Sequence, residues 1–106
     1  MPSITAAGST DPGKGWQEDP KYKGKGIFID VDTTSGGFNA AFDTPIYVTS
    51  LGGDGSMWSV VGSSAVYRAT ETGFRLYLRH YDSADLTPAD ASGANWYVNW
   101  HGTQNF

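Results

Sequence analysis

Apolar and polar residues alternate most regularly in residues 73–81. One set of alternate positions holds Phe74, Leu76 and Leu78. The positions between and after them hold Arg75, Tyr77, Arg79 and Tyr81. Successive side chains of a β-strand point to opposite faces of its sheet. The pattern therefore predicts a half-buried strand whose outer face is cationic and aromatic, and this face is a first candidate for ligand binding.

Four further segments are predicted as strands, at residues 26–33, 44–51, 65–68 and 95–101. In the last of them Trp96, Val98 and Trp100 share a face, so we expect this face to pack in the core against the apolar face of residues 73–81. Between these two strands, Thr87 precedes Pro88 within residues 86–91, which favours one turn of helix.

Residues 1–25 are polar and rich in Gly, Pro and Lys. Trp16 is the first large aromatic residue of this segment, and we predict that it folds back onto the core. The expected organisation is an N-terminal polar segment, residues 1–25, that packs through Trp16 on a β-sandwich domain formed by residues 26–106. Three lysines alternate near the end of the segment and indicate a solvated strand or loop: Lys21, Lys23 and Lys25.

The composition of the 106-residue chain supports one all-β domain. Gly is abundant at 14 residues, aromatic residues make up 14% and charged residues only 17%, compared with about 25% in an average domain. Short apolar runs separated by turn residues are typical of a β-sandwich or barrel. The chain has no cysteine, so its stability must come from its core, from oligomerisation or from both.

The net charge of −4 disfavours nucleic acid as a partner, because binding to a phosphate backbone requires a basic surface. No apolar run approaches the roughly 20 residues needed to cross a bilayer, so membrane insertion is not expected.

The sequence lacks a recognisable set of catalytic residues, so an enzymatic function is not expected. His80 and His101 are the only histidines, and no motif singles out a nucleophile. Asp30 and Asp32 share a strand face and could contact a cation, but the residues after them do not supply further oxygen ligands at calcium-loop spacing. We predict no catalytic residues, no cofactor and no metal, and we expect His80 to lie at the edge of the core.

The Gly-rich residues 52–56 predict an exposed loop that contains Asp54 and is followed closely by Trp58. An aromatic side chain beside such a loop can form a platform for a sugar ring. It can equally anchor the loop to the core, and the sequence leaves both interpretations open.

The order of the segments resembles the H-type lectin domain, a family known from snail and slime-mould agglutinins. The resemblance covers about residues 15–102. It rests mainly on Thr-Glu-Thr-Gly-Phe at residues 70–74 and on a closing strand that ends at Trp100, with a Gly-Trp pair and a Pro-initiated strand before them. It implies a six-stranded antiparallel β-sandwich that assembles as a trimer or as stacked trimers. Its sugar ligand, often N-acetylgalactosamine or galactose, would lie in clefts between protomers.

The resemblance also implies site residues. By spacing from Gly73, the family's aromatic-plus-polar pair falls on Tyr81 and Asp82, where the family has Trp and His. The family's arginine position falls near Val61, and the nearest arginines in this chain are Arg68 and Arg79. The loops resemble those of a bacterial or phage-type branch.

These observations predict a non-enzymatic, glycan-binding homo-oligomer that is extracellular or surface-exposed. The expected ligand-binding residues are Tyr81, Asp82, Arg79, Trp58 and Asp54. The alternative is a structural self-assembly module of an extracellular fibre, sheath or virion surface, without a sugar site. Tyr, Trp and Arg are also enriched at subunit interfaces, so composition alone does not separate the two hypotheses.

Overall fold

A computed structural model describes residues 2–106 and shows a mostly β fold with two antiparallel sheets. The strands are β1 (Ser3–Ser9), β2 (Gln17–Glu18), β3 (Gly26–Asp32), β4 (Ile46–Gly52), β5 (Val60–Val61), β6 (Tyr67–Thr70), β7 (Gly73–His80) and β8 (Tyr97–Asn105). Two 3₁₀ turns, Thr34–Gly36 and Met57–Ser59, and one α-helix, α1 (Pro88–Gly93), complete the secondary structure.

The first sheet has three strands in the order β1-β8-β4, and the second has five. In the second sheet β2 pairs with β3 and β3 pairs with β7. β5 and β6 both pair with β7, β6 near its beginning and β5 near its end. β7 therefore has paired neighbours on both sides and is the central strand of this sheet.

Both sheets contribute to one core. β3 and β7 provide an inner face of Ile27, Ile29, Val31, Phe74, Leu76 and Leu78, all of which are buried. Tyr47, Val98 and Trp100 are buried from the three-stranded sheet and belong to the same cluster. The alternation in the sequence correctly predicted the inward positions of β7 and β8, because burial on one face imposes a period of two.

A buried hydroxyl links the two sheets. The Tyr47 hydroxyl on β4 donates to the carbonyl oxygen of Thr70 at 2.6 Å and lies 2.8 Å from Thr33 Oγ1. Burial raises the pKa of Tyr47, so its phenol stays protonated and able to donate. The ends of β3 and β6 are thus joined to the opposite sheet by hydrogen bonds as well as by apolar packing.

The N-terminal segment includes a full strand that the sequence pattern did not predict. β1 pairs with β8 along its entire length, from Ser3 opposite Asn105 to Ser9 opposite Asn99. The sheets therefore include residues on both sides of the boundary expected at residue 26. Trp16 is buried, and its indole Nε1 donates to the carbonyl oxygen of Trp96 at 3.0 Å.

Other expectations differ in detail. The resemblance implied six strands and the structure has eight, of which β2, β5 and β6 have only two to four residues. The strand predicted at residues 65–68 lies slightly later, at β6, after a turn that Gly62 enters with a φ of 106°. The predicted helical turn is confirmed as α1, with Thr87 and Asp90 forming a capping box.

Candidate functional site

The outer face of the five-stranded sheet is both aromatic and charged. The registers place Phe28 opposite Tyr77 and Asp30 opposite Arg75 across β3 and β7. Tyr67 on β6 lies opposite Arg75 from the other side. Residues directly opposite each other in an antiparallel pair share a face, so strand pairing alone gathers these side chains into one cluster.

Arg75 is fixed at the centre of this face. Its Nε donates to Asp30 Oδ1 at 2.7 Å and its Nη2 to Asp30 Oδ2 at 3.0 Å, a bidentate pair. Its guanidinium carbon lies 4.1 Å from the ring centroid of Phe28, which is a cation–π contact. The hydrogen bond from Arg75 lowers the pKa of Asp30 and, in return, raises that of Arg75. Arg75 is thereby committed to a partner within the chain.

A groove of about 1080 Å³ runs over this face, and we call it the outer-face groove. It is lined by Asp19, Pro20, Lys21, Tyr22, Lys25, Gly26, Phe28, Val61, Gly62, Tyr67, Arg68, Arg75, Tyr77, Leu78, Arg79 and Ser83. Five of the seven basic residues of the chain are in this lining, and Asp19 is its one acidic residue. The outer-face groove is therefore basic although the protein as a whole is acidic.

One wall of the groove is the loop that contains Lys21 and Lys25. The backbone amide of the fully buried Leu86 donates to the carbonyl oxygen of Gly24 at 2.8 Å, and the Gly24 amide donates to Glu18 Oε1 at 3.0 Å. Lys25 Nζ is 2.6 Å from Asp85 Oδ1, and this hydrogen bond lowers the pKa of Asp85. These contacts hold the lysine loop beside the sheet.

The groove ends at a second surface, the loop rim, formed by residues 57–59 and 81–83. The Tyr81 amide donates to the carbonyl oxygen of Ser59 at 3.0 Å, which joins the two segments. Trp58 and Tyr81 both project into solvent, with exposed fractions of 85% and 62%. Asp82 accepts a hydrogen bond from the Ala84 amide at 3.1 Å. Ser83 also lines the groove, so the rim and the groove are continuous.

The exposure of Trp58 argues against one of its two interpretations, that it anchors the adjacent loop to the core. The adjacent Gly-rich loop is anchored by another tryptophan, because Trp96 Nε1 donates to the carbonyl oxygen of Gly55 at 2.8 Å. Trp58 does not anchor this loop and is left available on the surface.

The five residues predicted from the sequence lie in three places. Trp58, Tyr81 and Asp82 are on the loop rim, and Arg79 lines the outer-face groove beside it. Asp54 is in the loop after β4 and contacts the residues just before β8, where its Oδ2 accepts from Asn95 Nδ2 at 2.8 Å and its amide donates to the Ala94 carbonyl. Among residues 2–106, no hydrogen bond or ion pair joins Asp54 to the other four.

The sequence interpretation missed part of the groove. The alternating lysines predict only a solvated strand or loop, and no pattern in the sequence marks Tyr22 or Tyr67 as binding residues. The alternation of lysines around Tyr22 was a local signal, but its position over β7 depends on the tertiary contact between Gly24 and Leu86.

The remaining chemical candidates, Asp32 and His80, are engaged in hydrogen bonds within the chain. Asp32 Oδ1 accepts hydrogen bonds from the amide and the hydroxyl of Thr34, which lowers its pKa. His80 is half-buried, with Nδ1 3.2 Å from Ser59 Oγ. Over residues 2–106 no three His, Cys, Asp or Glu side chains converge in a metal-binding group.

Known proteins give no direct assignment. The chain matches no protein-family model, and no curated protein sequence is significantly similar to it. None of the helices found in residues 2–106 combines the length and the apolar character that a membrane span requires.

Proposed function

We propose that the protein is a non-enzymatic glycan-binding module of the H-type lectin kind, acting at a surface-exposed or extracellular location. Sugars combine apolar C–H faces with a ring of hydroxyl groups. They bind where aromatic side chains stack on the former and carboxylate, amide or guanidinium groups hydrogen-bond to the latter. The loop rim and the adjacent Arg79 supply both kinds of group.

The observation that carries this proposal is the exposure of Trp58 and Tyr81 on two joined segments. Solvent-exposed aromatic side chains are costly to leave uncovered, and here neither one packs on the core. The Tyr81–Ser59 hydrogen bond fixes the relative position of the two segments without occupying either ring. Asp82 and Arg79 lie within two residues of Tyr81 along the chain and are the polar groups proposed to bind sugar hydroxyls beside it.

The family resemblance supports the same proposal. The Thr-Glu-Thr-Gly-Phe sequence forms the turn into β7, and the Trp100 strand closes the fold as β8. Two antiparallel sheets around one core are compatible with the H-type lectin sandwich. By this analogy the protein forms trimers, or multiples of trimers, with glycan sites near protomer interfaces.

A glycan array tests the proposal. The wild-type protein is expected to bind a defined set of glycans, and Tyr81→Ala is expected to abolish that binding while leaving the thermal unfolding midpoint unchanged. Phe106→Ala is the matched control, because Phe106 is also an exposed aromatic residue but stacks on Phe42 away from the rim. Binding by Tyr81→Ala at the wild-type level would remove Tyr81 from the site.

A second function, structural self-assembly, is favoured by a different observation. β1 and β4 are the edges of the three-stranded sheet, and neither contains a charged residue. On β4, Ile46 and Val48 are 63% and 66% exposed. Edge strands without charges or proline are open to pairing with another chain.

The size of the assembly separates the two functions. A closed trimer in analytical ultracentrifugation and negative-stain images supports the lectin, and an open-ended polymer supports the structural module. If the polymer forms through β4, Val48→Lys is expected to stop its growth, whereas Lys14→Gln, a surface change elsewhere, is expected to leave it intact.

A further inference from the structure

The distribution of charge in the outer-face groove points to a ligand class. The groove concentrates five basic residues on one face of a chain with a net charge of −4. Two of them are already engaged, Arg75 by Asp30 and Lys25 by Asp85. These are the ion pairs formed among residues 2–106, so no carboxylate lies within 4.0 Å of the guanidinium groups of Arg68 and Arg79.

Arg68 is held in this position by an unusual backbone conformation. Its φ of 56° lies in the left-handed region, where a residue with a Cβ costs about 1–2 kcal/mol. The pairing of β6 with β7 is irregular between Tyr67 and Thr70, which is the signature of a bulge that redirects a side chain. The result is that Arg68 lines both the groove and a smaller cavity of about 310 Å³ beyond it.

The two unpaired arginines are spaced along the groove. Arg79 is opposite Val61, and Tyr67, the residue before Arg68, is opposite Arg75. These positions are four residue steps apart along β7, which corresponds to roughly 13 Å at about 3.3 Å per residue. Such a separation fits anionic groups on different units of an extended chain.

The aromatic residues between the arginines add a surface for ring faces. Tyr67 packs edge-on against Tyr77, with ring centroids 4.9 Å apart, and is half exposed. Tyr22 is exposed on the lysine loop. A guanidinium group binds a carboxylate or sulfate with two parallel hydrogen bonds, and the tyrosines offer contact to the sugar rings between such groups.

We propose that the outer-face groove binds an acidic oligosaccharide, with Arg68 and Arg79 each holding a carboxylate or sulfate group. This inference rests on the proposed glycan-binding function and specifies its ligand. A glycan is favoured over a nucleic acid because it continues the proposed function of the adjoining loop rim, whereas the net charge of −4 disfavours binding through a phosphate backbone.

The test compares two probes with the same sugar backbone, an oligogalacturonate and the same oligomer with its carboxylates methyl-esterified and therefore uncharged. Isothermal titration is expected to show binding of the acidic oligomer, at least about tenfold weaker binding of the ester, and loss of affinity as salt increases. An oligothymidylate is titrated in parallel and is expected to bind more weakly than the acidic oligomer.

Two variants locate the site. Arg79→Gln and Arg68→Gly are each expected to weaken binding of the acidic oligomer by about tenfold or more. Glycine is chosen at position 68 because it adopts a φ of 56° without strain, so the fold is retained. Lys14→Gln removes one positive charge outside the groove and is expected to change the affinity by less than about twofold.

Each contrary result has a distinct meaning. Equal binding of the ester, or an equal effect of Lys14→Gln, overturns the acidic-groove inference and leaves the glycan-binding function standing. Stronger binding of oligothymidylate overturns it in favour of a nucleic-acid ligand. Absence of binding to both oligomers, while the array shows other glycans bound, also overturns the inference, and absence of binding to any glycan removes the proposed function as well.

Discussion

The hydroxyl of Tyr47 gives a quantitative test of how the two sheets are joined. Tyr47→Phe removes the donor to the Thr70 carbonyl and the partner of the fully buried Thr33 Oγ1. The ring contacts with Phe74 and Trp100 are retained in the variant. The change therefore isolates the hydrogen bonds from the apolar packing.

The expected cost follows from the groups left without partners. A buried polar group that loses its hydrogen bond destabilises a fold by about 1–3 kcal/mol. For a domain of this size, each kcal/mol lowers Tm by about 4–8 °C. We therefore expect Tm of Tyr47→Phe to fall by at least about 4 °C in calorimetry, whereas Tyr22→Phe, on an exposed ring, leaves it unchanged.

A double-mutant cycle tests the mechanism. In the Tyr47→Phe variant the Thr33 hydroxyl has lost its hydrogen-bond partner. Thr33→Val replaces this hydroxyl by a methyl group of similar shape, so it is expected to recover part of the lost stability in that background. If Thr33→Val costs the same with and without the Tyr47 hydroxyl, the two groups are not coupled. A Tm of Tyr47→Phe equal to that of the wild type would refute the inter-sheet link itself.

Two further predictions concern the sheet that carries the groove. The pKa of Asp30 is lower in the folded state than in the unfolded state, where it is near 3.9. The ionised carboxylate therefore stabilises the fold at pH values above the unfolded-state pKa, and this stabilisation is lost as pH falls through the folded-state pKa. Asp30→Asn is therefore expected to lower Tm at about pH 7, and the corresponding loss in free energy of unfolding is no more than about 1 kcal/mol because the pair is partly solvated. At about pH 2 the Tm of the variant is expected to match that of the wild type. A loss of stability that does not change with pH would argue against the ion pair. At Gly62 the φ of 106° is strained for any other residue, and an added Cβ would collide with the carbonyl oxygen of Tyr77. Gly62→Ala is expected to lower the free energy of unfolding by at least about 1–2 kcal/mol in urea titrations, while Gly55→Ala, where an added Cβ meets open space, is expected to be neutral.

The central strands were predictable from the sequence because their burial is one-sided and their inward residues are large. β7 and β8 bury Phe, Leu, Val or Trp at alternate positions, and this leaves a period-two pattern that needs no tertiary information. α1 was predictable for a local reason as well, because its capping box and N-terminal proline are encoded within a few residues.

β1 was not predictable because its inward positions carry little apolar signal. The inward positions of β1 are Ile4, Ala6 and Gly8. A Cβ added at Gly8 would come within 2.9 Å of the Trp100 indole. The small residues make room for the tryptophan of the neighbouring strand. That requirement comes from a partner more than ninety positions away and cannot be recognised in the segment itself.

The candidate site was partly predictable, because some of its residues depend on local sequence and others on long-range contacts. The family resemblance predicted Tyr81 and Asp82 by spacing from Gly73, and the loop pattern made Trp58 a candidate. These residues lie after the end of β7 and beside a turn, so their exposure could be expected from local sequence. The contributions of Lys21 and Arg68 depend on a loop docking over the sheet and on a bulge, both of which arise from long-range pairing.

Fluorescence quenching of Trp58 tests the glycan-binding function most directly. The other three tryptophans are buried, so acrylamide quenching in the wild type reports mainly on Trp58, and Trp58→Phe provides the background. With a saturating amount of the glycan that binds best on the array, the proposal predicts a saturable loss of quenching in the wild type and none in Trp58→Phe. Quenching that stays the same at saturation, or an array without any bound glycan, would contradict a sugar site at the loop rim.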